Sequence, residues 1–262
     1  QGSEQVARTE VSGEASGAIR RDRLFYFVGG QLVDRAFRAP DLASSAPGDF
    51  LRARESNREV RGIGKLSWAR AVGERLDLIL GGTTNHVGNA GLNGLDAVAA
   101  LPNVRASSAW YEASWRRVIS PRTAVEFKLA GYEATESRRG AAGADVPGVR
   151  ALRLGDQPRD QNPEFETASE PGSHSLVSIA RLSRRWFGLE HQLASGLDLT
   201  FGHWRDRRTR NGGLTWRPYV AQPSTYSGTD ASTWGTVGSD WGGETRLTSR
   251  TESAAIFVQD QV

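Results

Sequence analysis

The chain is 262 residues long, 38% apolar and 24% charged, with 30 glycines, 8 tryptophans, no cysteine and no methionine. Without cysteine there is no disulfide framework, thiolate metal site, cysteine nucleophile or iron–sulfur cluster. Its 33 basic residues, of which only Lys65 and Lys128 are lysines, stand interleaved with 30 acids for a net charge of +3, a pattern that argues against a nucleic-acid partner.

Gln1–Ala18 is polar, with no charged start leading into an apolar block, so no signal peptide is read there. From Asp22 the chain reads as strands. The first candidates are Asp22–Arg35 and Glu59–Ala71. In 75–87, Leu76, Leu78 and Leu80 share one face, and Arg75, Asp77 and Thr83 the other. Val104–Val118 follows, then 123–134, where Val125, Phe127 and Leu129 alternate with Glu126, Lys128 and Tyr132. Ser175–Phe187 precedes 190–204, where His191, Leu193, Leu197, Leu199 and Phe201 alternate with Glu190, Gln192, Gly196, Asp198 and Thr200. Arg250–Val262 is the last. These runs exceed the ~5 to 6 residues of an ordinary strand and suit the ~9 to 11 of a tilted bilayer-crossing one. No stretch approaches the ~20 apolar residues of a membrane helix.

The connections alternate strictly. Residues 71–74, 119–122 and 187–190 read as tight turns, whereas 36–58, 88–103, 136–174 and 205–249 are long, polar and rich in Gly, Pro and Asp. An up-and-down sheet places every second connection at the same end, so one end carries turns and the other large loops. Outer-membrane barrels have that asymmetry and sandwiches do not. Trp68, Trp115, Trp186 and Phe187 lie near short turns, where an interfacial girdle would sit. The expected fold is all-β: a portion of an antiparallel up-and-down transmembrane β-barrel of about eight strands.

The segment Gly17-Ala18-Ile19-Arg20-Arg21-Asp22-Arg23-Leu24-Phe25-Tyr26-Phe27 resembles the point in TonB-dependent outer-membrane receptors where the plug hands over to the first barrel strand. Three further pieces look like the same family: Trp115 through Thr123 with its Ser-Pro-Arg turn, Glu190-His191-Gln192-Leu193 with Gly196, and Phe257-Val258-Gln259-Asp260. The resemblance implies part of a barrel of the 22-stranded type, in the outer membrane of a Gram-negative bacterium. It implies residues 1–21 as the end of a plug and its junction, and 22–262 as the first part of the barrel with extracellular loops 36–58, 88–103, 136–174 and 205–249. Its partners would be outer-membrane lipid, its own plug domain and the TonB energy-coupling protein through regions outside this chain, and an extracellular substrate imported by active transport.

The remaining motifs carry less. Gly62-Ile63-Gly64-Lys65 lacks the Walker spacing, and no helix follows it. His86, His174, His191 and His203 show no helical metal spacing. Asp156, Asp160, Glu164 and Glu166 could offer oxygen ligands to calcium, but they match no known loop and read as solvated acids near Arg153 and Arg159. Arg205, Arg207, Arg208 and Arg210 read as a solvated or anion-attracting loop face. No catalytic centre, cofactor or metal is expected, and the function read is binding and transport rather than enzymatic. The candidate ligand-binding residues are Trp204, Trp216, Tyr219, Tyr226, Trp234 and Trp241, aromatics among glycine and serine that suit adaptable contacts. Leu76, Leu78, Leu80, Val125, Phe127, Leu129, Leu197, Leu199 and Phe201 would meet lipid, and Arg75, Asp77, Glu126, Lys128, Gln192 and Asp198 would face the lumen. The alternatives are a soluble β-rich carbohydrate- or ligand-binding domain, with the leucine faces packed inside, and a complete small eight-stranded outer-membrane barrel.

Overall fold

The computed structural model describes residues 4–38, 54–92, 100–150, 159–160, 162–213, 215–218, 234–237 and 244–261. In chain order the strands are β1 (Glu4–Arg20), β2 (Leu24–Arg38), β3 (Arg54–Ala71), β4 (Glu74–Gly88), β5 (Pro102–Ser120), β6 (Thr123–Gly140), β7 (Gly148–Arg150) and β8 (Arg159–Asp160). They continue with β9 (Phe165–Trp186), β10 (Leu189–Arg210), β11 (Thr215–Pro218), β12 (Trp234–Val237) and β13 (Glu244–Gln261). Nine long strands form one antiparallel up-and-down sheet in the order β1-β2-β3-β4-β5-β6-β9-β10-β13, and the four short ones form a separate sheet in the loops. Among the described residues each outermost long strand pairs on one side only, so the sheet is open.

Tight turns gather at one end. Phe187 and Gly188 take φ of +50° and +83°, the two positive values of a type I′ hairpin, whose twist matches that of the flanking strands. Gly73 (φ +76°) serves β3–β4, and Asp22 (φ +58°) serves β1–β2. At the other end the loop bases are held by two buried asparagines. Asn162 Nδ2 donates to the carbonyls of Gly143 and Val146 at 2.8 and 2.7 Å, and Asn211 Nδ2 donates to that of Pro163 at 2.7 Å.

Register shows that the alternation noted on separate strands is one continuous pair of faces. Tyr26, Leu66, Leu78, Ala113, Leu129, Leu176, Leu199 and Ala254 make a single cross-strand row. This leucine face is the convex, splayed side: Leu76, Leu78 and Leu80 are exposed, whereas Asp77 and Ile79 between them, and Thr83, Asn85 and Val87 further along the same opposite face, are half-buried. Among the described residues the buried apolar side chains are Val33, Leu92, Ala100 and Leu101. Among the described residues nothing covers the leucines, contrary to the packing that the soluble-domain alternative requires.

The apolar belt crosses the rows obliquely. Its first charged outward neighbour is Asp34 on β2 and Arg58 on β3, in one row. By β13 that neighbour is Glu252, whose row passes through Gly131, six residues nearer the turns than Ser137 of the Asp34 row. A slip of ~20 Å over seven strand steps of ~4.8 Å implies a tilt of ~30°, close to the ~35–45° of outer-membrane barrels.

The structure departs from the sequence reading at the edges of elements. The reading opens the sheet at Asp22, but β1 precedes it and pairs along β2, making Gly17–Phe27 a hairpin. Its outward positions, Val11, Gly13, Ala15 and Gly17, are small, so hydrophobic alternation is faint, although Arg8, Glu10, Ser12, Glu14 and Ser16 alternate on the other side. β6, β9, β10 and β13 also run further into the 136–174 and 205–249 segments than expected, because both faces there are polar and the period-two signal vanishes. The cluster Arg205–Arg210 is strand, with Arg205 and Arg207 outward and Arg208 and Arg210 on the concave side.

Candidate functional site

The concave face is laced with ion pairs between neighbouring strands. Lys128 Nζ meets Glu112 at 2.9 Å, and Arg181 meets Glu126 at 2.9 Å. Asp77 accepts from Arg75 at 2.7 Å and from the Ser67 hydroxyl. Glu10 accepts from Gln31 at 2.6 Å. These side chains alternate with the leucines, so the spacing that makes one face apolar makes the other a polar wall. The expected lumen-facing residues Arg75, Asp77, Glu126, Lys128, Gln192 and Asp198 all fall on this side.

Towards the long loops the wall becomes aromatic and recessed. Trp204 stands on the concave side of β10, 47% exposed, and its Nε1 donates to Ser169 Oγ at 2.8 Å. Further along β10 the guanidiniums of Arg208 and Arg210 lie 3.5 and 4.3 Å from the ring centre of Phe165, a cation–π arrangement. Arg210 also pairs with Glu164 at 2.7 Å. A cleft of about 360 Å³ opens between β4, β5, β6 and β9, lined by Thr83, Asn85, Ser108, Glu136, Ser169 and Pro171. Asn85 Oδ1 is buried at its wall with no hydrogen-bond partner among the described residues. Hydroxyls, an amide, a carboxylate and a tryptophan edge can grip a polar ligand without bond chemistry.

Of the six candidate aromatics, Trp204 alone has a described side chain. Trp216 and Trp234 lie on β11 and β12, which pair with each other, Trp216 opposite Thr236 and Trp234 opposite Pro218. Tyr219, Tyr226 and Trp241 lie outside the described residues. Among the acids weighed for calcium, Glu164 is engaged with Arg210, Asp160 is on β8, and Asp156 is outside the described residues. Phe165 and the recess at Pro171 were not singled out from sequence; a proline inside a long strand was the available signal. On the convex face His174 and His203 meet on Glu133, at 2.9 and 3.3 Å, with Tyr111 Oη 2.9 Å from His174. Linear spacing along the chain hides such cross-strand neighbours. Trp68, Trp115 and Trp186 also lie on the convex face at the turn end, with Trp115 Nε1 donating to Glu74 at 3.0 Å.

An open up-and-down sheet with an exposed apolar exterior and a charged concave interior has the architecture of part of the wall of an outer-membrane-type β-barrel. Known structures agree. The chain is similar to the outer membrane transporter YddB from Escherichia coli, with a TM-score of 0.60 at 10% identity over 97% of this chain and 34% of that one. It is also similar to the siderophore receptor PirA from Acinetobacter baumannii, with a TM-score of 0.55 at 16% identity over 98% of this chain and 35% of that one. The chain thus spans about a third of the length of either protein. No family model and no curated protein sequence matches it.

Proposed function

We propose that the chain is part of the barrel of an outer-membrane receptor that binds a large substrate and imports it by TonB-dependent active transport. The observation that carries this is the two-faced open sheet: exposed leucines outside and ion-paired polar side chains inside, the arrangement of a wall between lipid and an aqueous or plugged lumen. The likeness to a transporter and to a siderophore receptor supports the role. In this reading the long loops lie on the cell exterior, the convex face meets outer-membrane lipid, and the plug and the TonB contact are supplied by regions beyond this chain. Substrate first touches the mouth around Trp204, with Trp216, Tyr219, Tyr226, Trp234 and Trp241 contributing from the loops above it.

The test is cross-linking of the full-length protein to TonB in intact cells, paired with substrate uptake before and after collapse of the inner-membrane proton gradient. TonB adducts and gradient-dependent uptake are expected. Uptake indifferent to the gradient, without adducts, would reduce the protein to a passive channel.

A further inference from the structure

Two clefts lie back to back where β6 and β9 part. Pro171 has no amide hydrogen to donate, and the ladder is interrupted between the Glu133–Gly172 and Glu136–Ser169 pairs. The concave cleft belongs to the site already described. The convex one is larger, about 520 Å³, and of different charge. Arg58, His86, Arg105, Arg139 and Arg207 line it, against two carboxylates that are already paired, Glu170 with Arg205 at 3.7 Å and Glu136 with Arg138 at 2.9 Å.

Arg58, His86 and Arg105 are direct cross-strand neighbours in one row. Arg58 and Arg105 thus stand two strands apart with the His86 ring between them, which gathers two guanidiniums into one short stretch of the wall. Arg58 is paired with Asp34 at 3.0 Å, whereas Arg105 and Arg139 make no ion pair among the described residues. One row nearer the turns, on the same face, Leu32 and Val60 begin the apolar belt. A ligand that satisfies both neighbours must carry anionic oxygens and an apolar body in one molecule.

We propose that this convex cleft binds the phosphate of an acylated lipid headgroup in the leaflet on the long-loop side, with Arg105 and Arg139 as its principal donors. Guanidinium is the side chain suited to this, because its planar fork meets two phosphate oxygens at once. The acyl chains then lie along Val60 and Leu80 below. The proposal rests on the membrane-barrel reading above and adds to it a defined binding position on the outer wall.

The full-length protein is reconstituted in phosphatidylcholine nanodiscs containing a minor fraction of diphosphorylated lipid A, and lipid retained after extraction and washing is measured by native mass spectrometry. The wild type should retain lipid A. The Arg105→Gln/Arg139→Gln double variant should retain about tenfold less. Arg138→Gln, next along the chain but on the concave face and paired with Glu136 at 2.9 Å, should retain the wild-type amount. Excess inorganic phosphate should leave retention unchanged. Equal retention by the double variant, equal retention of dephosphorylated lipid, or release by inorganic phosphate each overturns the proposal. Insertion is scored separately, by heat-modifiable migration and protease protection. A protein that never inserts sinks the barrel reading, whereas one that inserts without selective retention sinks this proposal alone.

Discussion

Gly196 shows how closely the concave face is packed. A Cβ there would lie 2.4 Å from the Ser178 carbonyl oxygen and 2.5 Å from the Phe257 ring, which rests over the glycine from the next strand. Backbone cannot swing aside, so Gly196→Ala should destabilise by ~1–3 kcal/mol, the range for overpacking. Gly62, on the convex face, has nothing within 4 Å of its missing Cβ. Gly62→Ala should be neutral or stabilising by up to ~1 kcal/mol, because alanine loses less backbone entropy on folding. Urea-unfolding midpoints of the full-length protein in vesicles compare the two. Equal shifts would mean that the glycine on β10 is not crowded as described.

At the scale of the element, one strand carries both solvents. Leu199 stands between Leu176 and Ala254 on the convex side, and Asp198 between Val177 and Ala255 on the concave side. Leu199→Arg places a charge against hydrocarbon at a cost of ~2–4 kcal/mol and should block assembly, while Asp198→Arg enters a polar lumen and should assemble normally. Equal folding yields in lipid vesicles for the two variants would show the faces, or the membrane, to be wrong. This alternation is the part of the fold most legible in the sequence, since Leu76, Leu78, Leu80, Phe127 and Leu199 need only period two to be sorted. β1 was not legible, because its outward residues are too small to announce a lipid face. The mouth was half legible: Trp204 stands out by type, but Ser169, which accepts its indole hydrogen, reaches it only through strand pairing. The convex arginine row is scattered along the chain from Arg58 to Arg207 and exists only in register.

For the whole molecule, the proposed placement of the long-loop end on the cell exterior can be read by labelling intact cells. Ala142, exposed beyond β6, and Val72, fully exposed in the β3–β4 turn, lie at opposite ends. In the cysteine-free background, Ala142→Cys should be labelled by an impermeant maleimide on intact cells and Val72→Cys only after lysis. The reverse pattern would invert the protein in the membrane. The open sheet makes a second demand. β1 and β13 each leave one row of backbone groups unpaired, and hydrocarbon penalises each such group by several kcal/mol. Residues 1–262 expressed alone should therefore aggregate through those edges rather than yield a protected, heat-modifiable species. A discrete closed barrel from this segment would contradict that. Strand length has one more effect. β9 and β10 each run for 22 residues, which at ~3.3 Å per residue and a tilt of ~30–40° is a rise of ~60 Å, against an apolar band of ~25 Å. In the proposed receptor the wall would stand above the bilayer like a chimney, and an arriving molecule would meet the rim some 30 Å before it could touch lipid. Capture in that reading would be a search through open solution at the rim, decoupled from whatever coats the membrane at its foot.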